Sequence, residues 1–191
     1  MRRGDIEGTH AELDLGRMLF LHHAPFRYVV PQGVKGCDYD VEVLYPNGVT
    51  ACADAKCKIV GTTFGANKIN NALKKAKTQL PDDRPGIVFI KVPQDWMEVA
   101  GFEDIAVNTA HAFLRGTRRI VSVKFYVSPI ALLNGWMKLQ HAYKEISNPY
   151  TEFGDMQNWT LFPKIEVPPE WNGMPPHWQR VLFFPDGKPR D

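Results

Sequence analysis

The 191-residue chain is 44% hydrophobic and 23% charged, the proportions of a soluble globular protein rather than of a disordered one. Its formal charge of +2 and pI near 8.4 permit a polyanionic partner without requiring one, so charge alone selects no function. A length somewhat above the common domain size of about 100 to 150 residues suggests one domain with a proper core.

At the N-terminus Arg2-Arg3 is followed by Asp5 and Glu7 with no apolar run, so neither a signal peptide nor a membrane span is expected, and a cytoplasmic location is the expectation. Residues 9–22 have helical spacing, with Leu15, Met18, Leu19 and His22 as an apolar stripe. Thr9 and Glu12 fit a capping box, which is one reading of Glu12. Glu12 also lies at i, i+3 and i+7 with Leu15 and Leu19, which turns this carboxylate toward the packed side and makes it a site candidate.

Residues 26–30 read as a short strand and 31–36 as a loop. Next come Asp38-Tyr39-Asp40-Val41-Glu42-Val43, a turn at Pro46-Asn47-Gly48, and Cys52-Ala53-Asp54-Ala55-Lys56, which together predict a β-hairpin. Alternation puts Asp38, Asp40 and Glu42 on one side, with Cys52, Asp54 and Lys56 on the same side of the return strand. A three-residue loop with Gly48 in the left-handed position sets a register in which Asp40 faces Asp54 and Asp38 faces Lys56. Like charges directly opposite destabilise a strand pair, so the two aspartates call for a counter-charge. A hard divalent cation such as Mg²⁺ is ordinarily held by one or two carboxylates and several waters, and a nearby ammonium can orient or deprotonate a water on it. The other reading of the same pattern is the solvated polar face of an amphipathic hairpin. Cys37, Cys52 and Cys57, an odd count at no zinc spacing, read as reduced thiols buried on the hairpin.

Residues 60–65 form a loop and 67–80 a helix, with Ile69, Leu73, Ala76 and Leu80 inward and Lys68, Lys74, Lys75 and Lys77 outward. Such a lysine face is usually only a solvated one. Here it directly follows the strand of Asp54 and Lys56, which makes Lys58, Lys68, Lys74 and Lys75 candidate phosphate-backbone contacts. Residues 86–92 are almost unbroken apolar sequence, the mark of a central parallel strand covered on both faces. Residues 104–115 predict a helix with Ile105, Ala106, Thr109, Ala112 and Phe113 inward, and 120–127 a further strand. Residues 131–146 can form a helix. The remainder, with Trp159, Trp171 and Trp178, is rich in proline and aromatic residues and without period; it is expected to wrap the core, with a subunit interface or base stacking as other uses. The chain has no internal repeat, no Walker-type phosphate loop and no nucleophile elbow, and His22, His23 and His111 read as helix residues.

With these elements in place the chain resembles the PD-(D/E)xK nuclease superfamily, the restriction-endonuclease-like fold of Holliday junction resolvases and many restriction and repair nucleases. Asp54-Ala55-Lys56 matches the D/E-x-K element, Asp40 or Asp38 the preceding acid, and Glu12 the acid of the first helix. No proline precedes either aspartate, so that assignment stays open, with the pairing argument favouring Asp40. The resemblance implies an α/β fold with an αβββαβ core and a mixed central sheet flanked by helices over residues 1–130. An irregular, aromatic- and proline-rich extension over 131–191 would pack on the core or at a subunit interface. It further implies that Asp40, Asp54 and the carbonyl of Ala55 bind Mg²⁺, with Mn²⁺ as a substitute. Glu12 would complete or tune the metal shell, and Lys56 would activate the hydrolytic water for phosphodiester cleavage. DNA rather than RNA is the expected partner, and a homodimer would suit the cutting of two strands. Two other classes stay open: an inactive nucleic-acid-binding subunit on the same fold, and a protein-interaction module.

Overall fold

The computed structural model describes residues 3–128, 130–133, 136–139, 141–154, 161–162 and 179–181. The chain forms an α/β structure in the order α1 (Arg3–Leu21), β1 (Phe26–Tyr28), β2 (Val41–Leu44), β3 (Thr50–Cys57), α2 (Ala66–Gln79), β4 (Gly86–Lys91), α3 (Gln94–Met97), α4 (Phe102–Arg115) and β5 (Ile120–Val127). After these come β6 (Ile130–Leu133), β7 (Trp136–Leu139), β8 (His141–Ser147) and β9 (Gln179–Val181). Seven strands make one mixed open sheet in the order β1-β2-β3-β4-β5-β8-β9, while β6 and β7 pair separately. No helix among the described residues is long and apolar enough to cross a membrane.

The hairpin register is the one its turn chemistry predicts: Val41 pairs with Ala53, Glu42 with Cys52, Val43 with Ala51 and Leu44 with Thr50. Gly48 takes φ 81°, its amide donates to the Tyr45 carbonyl at 2.9 Å, and Asn47 Oδ1 accepts from the Val49 amide. That is the left-handed position for which glycine carries no steric penalty. β3 and β4, and β4 and β5, are parallel, so the apolar run at 86–91 lies in the middle of the sheet as its composition requires.

Alternation along β3 divides the interior in two. Ala51, Ala53 and Ala55 face α1, whose Ala11, Leu15, Met18 and Leu19 pack there with Val41, Val43, Ile87 and Phe89. Cys52 lies on the other face with Val88 and Ile90, covered by Ile69, Leu73 and Ala76 of α2 and Phe102, Ala106, Ala110 and Leu114 of α4. Three alanines in a row on β3 let α1 settle close to the strand that carries Asp54 and Lys56.

Several expectations need correction. α1 starts at Arg3, so Thr9 lies within the helix and the 9–12 pair caps nothing. α1 ends at Leu21, and His22 and His23 fall in the turn after it, His23 with φ 54°. The buried face of α4 is Phe102, Ala106, Ala110 and Leu114, rotated from the expected one, and Ile105 is exposed. Two adjacent apolar candidates, 105 and 106, left the stripe ambiguous by one position, and the helix start at Phe102 settles it. Cys37 is exposed and Cys57 half-buried; only Cys52 is buried, and all three are free thiols. Where a helix was expected over 131–146, the described residues form the strands β6, β7 and β8, and β8 pairs antiparallel with β5 from Ser122↔Ser147 to Val127↔Ala142. The edge of β5 is open on that side, and extended pairing satisfies its backbone groups where a helix could not. The region expected as an extension thus supplies two strands to the main sheet. Phe162 packs on Tyr143, Phe89 and His22, while Trp159, Trp171 and Trp178 lie outside the described residues.

Two glycines give opposite tests of this packing. A Cβ at Gly86 would meet Ile120 Cδ1 at 2.8 Å and Leu80 Cδ1 at 3.1 Å, both buried, whereas a Cβ at Gly8 inside α1 meets nothing within 4 Å. Gly86→Ala is expected to cost about 1–3 kcal/mol through overpacking. Gly8→Ala should stabilise by about 0.5–1 kcal/mol through helix propensity. Denaturant midpoints of the two variants check both signs.

Candidate active site

Where β2 and β3 part, the ladder ends and side chains take over. The Asp40 amide donates to the Ala53 carbonyl at 3.1 Å, and Asp40 Oδ2 accepts the Ala55 amide at 2.6 Å. The Asp40 carboxylate therefore sits against the backbone of β3 beside Asp54, as the register implies. Asp54 is fully buried, and neither of its oxygens accepts a hydrogen bond among the described residues. Its one close neighbour of opposite charge is Lys56 Nζ, 2.6 Å from Oδ2 but off the direction of a hydrogen bond; the same ammonium donates to the Ala55 carbonyl at 3.3 Å.

The electrostatics follow from this crowding. Burial pushes the Asp54 carboxyl up to about 7; Lys56 opposes the shift, and the charges of Asp40 and Glu12 reinforce it. Burial also raises Asp40, against the Ala55 amide and Lys56. Glu12, half-buried on α1, is raised by burial and then by Asp40, with Lys56 drawing it back. Each of the three carboxyls responds to Lys56, so Glu12, Asp40, Asp54 and Lys56 form one electrostatic unit.

Asp38 is not part of it. Its Oδ1 accepts the amides of Gln32 and Gly33 at 2.8 Å each, which ties down the 31–37 loop instead of facing Lys56. Strand pairing stops at Val41, so the alternation that placed Asp38 beside Asp40 does not extend that far. Glu42 belongs to a separate cluster: it accepts from Arg27 Nε at 2.5 Å, Arg84 Nη1 at 2.9 Å and Tyr39 Oη at 2.7 Å. The hydrogen bond from Arg27, joined by those of Tyr39 and Arg84, holds its carboxyl down to about 2.

Of the four candidate lysine contacts, Lys58 is half-buried, and its pKa is lowered by burial and by the charges of Lys68 and Lys75. Those three form a basic group just beyond Lys56. Lys74 lies apart, on the groove between α2 and α4. The sequence reading missed Asp14, a buried carboxylate that accepts from Lys91 Nζ at 2.5 Å and Ser128 Oγ at 3.1 Å. The signal was present, since Ala11, Asp14, Leu15 and Met18 stand at i, i+3, i+4 and i+7.

Among the described residues no three His, Cys, Asp or Glu side chains converge tightly enough to hold an ion by themselves. Mg²⁺ asks for less, commonly one or two carboxylates with waters completing an octahedron. Asp40, Asp54 and the Ala55 carbonyl are hard oxygen donors of that kind. The buried oxygens of Asp54 and the ammonium lodged between Asp54 and the Ala55 carbonyl mark a place where positive charge is wanted. The residues therefore fit such an ion.

No family model matches the chain, and no curated protein matches it either. Among solved structures it is similar to the central domain of yeast acetyl-CoA carboxylase, at 12% identity and a TM-score of 0.31. That match covers 69% of this chain, which spans only 21% of the other, and a likeness so slight carries no argument.

A testable consequence lies in the pH dependence of folding. Asp54 titrates near 7 when folded and near 3.8 when unfolded, so the folded state holds the extra proton between those values. Its contribution to stability is fullest below about pH 4 and is lost as pH rises through 7. Asp54→Asn is expected to flatten that part of the stability curve and to raise the melting temperature at pH 8, measured by thermal scans in a chelator. An unchanged curve would show that Asp54 is not buried as described.

Proposed function

We propose that the chain is a metal-dependent nuclease of the PD-(D/E)xK type that hydrolyses phosphodiester bonds in DNA. The observation that carries this reading is the fully buried Asp54, set beside Asp40 and ion-paired with Lys56 at 2.6 Å. Buried ionisable groups with strongly perturbed pKa values concentrate at functional sites. The αβββαβ order through β4, the parallel neighbours of β4 and the acid on α1 all support the restriction-endonuclease-like arrangement.

In this reading Asp40, Asp54 and the Ala55 carbonyl hold Mg²⁺, or Mn²⁺ in its place, and Glu12 tunes the shell from α1. The ion, when bound, lowers the pKa of water and neutralises charge growing on the phosphate. Asp54 then stays ionised, since the counter-charge offsets its burial. Lys56 would orient the attacking water and steady the developing negative charge on the phosphoryl oxygens. Lys58, Lys68 and Lys75 receive the flanking phosphates.

The decisive assay incubates wild type and Lys56→Ala with Mg²⁺ on linear, circular, branched and single-stranded DNA. Lys56→Ala should abolish cleavage with folding and DNA retention intact, and Asp54→Ala should also lose metal binding by calorimetry. If wild type binds neither Mg²⁺ nor Mn²⁺ yet retains DNA, the chain is a binding subunit and not a nuclease.

The lysines allow a second measurement. Each phosphate contact removed should lower the slope of log affinity against log salt by about 0.9 on duplex DNA. Lys68→Ala and Lys75→Ala are each expected to flatten the slope by roughly that amount, and variants that leave it unchanged would remove these residues from the interface.

A further inference from the structure

One residue along the chain from Lys56, the ends of three parallel strands frame a concavity. Cys57 and Lys58 at the end of β3, Lys91 and Val92 at the end of β4, and Val127 and Ser128 at the end of β5 line a cavity of about 440 Å³, with Glu7 and His10 of α1 on its other side. Open α/β sheets place ligands outside the carboxyl ends of their strands, and this volume falls within the roughly 300–1,000 Å³ of small-molecule sites.

The lining has two characters. Val60, Val92, Pro93 and Val127 supply apolar walls. The polar edge is fixed in advance: Lys91 Nζ donates to Asp14 Oδ2 at 2.5 Å and lies 2.8 Å from His10 Nδ1, and Ser128 Oγ donates to the same Asp14 oxygen at 3.1 Å. His10 Nδ1 also lies 3.2 Å from Asp14 Oδ2, on a side chain that is 55% exposed, so the imidazole adds a polar group at the rim. Gln94 adds an amide, both donor and acceptor. Lys58 and Lys91 are balanced by Glu7 and Asp14, so the cavity has no excess charge to hold a bare anion. Apolar walls, mixed donors and acceptors, and one lysine toward the basic group of Lys68 and Lys75 suit a ligand with a flat polar ring and a single phosphate.

We infer that this cavity receives one unpaired nucleotide of the DNA strand, its base between the valine and proline walls and its phosphate toward Lys58, while the adjoining phosphodiester lies at Asp54 and Lys56. The inference rests on the nuclease reading and sharpens its substrate to a strand with an unpaired nucleotide beside the cut. A base within a duplex must first leave its stack, at a cost of a few kcal/mol that a single strand, flap or mismatch largely escapes.

The test needs no turnover. dAMP, deoxyadenosine and inorganic phosphate are titrated separately into the metal-free protein, with the backbone amide resonances of Cys57, Gln94 and Ser128 as the readout. dAMP is expected to shift them at concentrations about tenfold below either fragment. Val60→Trp, at an exposed position on the rim, should abolish the shifts with the melting temperature unchanged. In cleavage, wild type should favour substrates with unpaired nucleotides, and both Val60→Trp and Gln94→Ala should lose that preference. Phosphate matching dAMP, dAMP shifting only other residues, or Val60→Trp leaving both binding and preference intact would each overturn the inference. Failure of the two readings is distinguishable: nucleotide binding at the cavity without Mg²⁺-dependent cleavage keeps the pocket and removes the nuclease, whereas cleavage without such binding does the reverse.

Discussion

A fully buried carboxylate whose close partner is a single ammonium sets the terms for the rest of the molecule. Asp54 is paired with Val88 of β4 on one side and flanked by Asp40 on the other, and holding it ionised above its folded pKa of about 7 costs on the order of 4 kcal/mol relative to the unfolded chain. That is a large part of the net stability of an ordinary domain. Lys56 does not remove the cost, because its ammonium also lies beside the Ala55 carbonyl and shares a small volume with two further acids. A sequence selected for stability alone would place valine there, as it does at the neighbouring positions of β4. The burial makes sense as preorganisation, in which oxygens are held ready for a charge that arrives later.

The surroundings of Asp54 show how that cost is carried. Ala51, Ala53 and Ala55 leave the α1 face of β3 shallow, and α1 fills it with Ala11, Leu15, Met18 and Leu19. The helix is then held near Glu12 by polar ties on either side: the Tyr126 hydroxyl donates to the Ala11 carbonyl at 3.1 Å, and Asp14 is gripped by Lys91 and Ser128. A glutamate on a surface helix would ordinarily sweep a wide arc. Here the residues before and after it on the chain are fixed to β4, β5 and the end of β5, so the reach of Glu12 is limited to the neighbourhood of Asp40 and Lys56.

The legibility of the chain depended on the range of the forces involved. Local chemistry could be read: Gly48 imposed the turn, the turn imposed the register, and the register brought Asp40 to Asp54. The unbroken apolar run at 86–91 likewise announced a strand with neighbours on both sides. Asp38 was misplaced because alternation carries meaning only while the strand lasts, and β2 begins at Val41. The strand β8 was missed because its pairing is decided by the open edge of β5, a partner remote along the chain and silent in local spacing. Asp14 was missed for a related reason, since a polar residue on a packed face shows its purpose only when its partner, Lys91, is brought across the sheet.

The topology explains why the candidate site, the lysine group and the strand-end cavity share one edge. In an antiparallel pair the start of one strand lies beside the end of the next, which puts Asp40, just before β2, next to Lys56 near the end of β3. In a parallel set the ends align instead, so Cys57, Lys91 and Val127 finish together. A chain leaving β3 must then turn back over the sheet to reach β4, and that return starts with Lys58 and brings Lys68 into the second helix at the same edge. One antiparallel hairpin joined to a parallel sheet is thus sufficient to gather acids, an ammonium, phosphate-binding lysines and a cavity from segments far apart in the chain. The chemistry of the edge is a consequence of where β2 reverses direction.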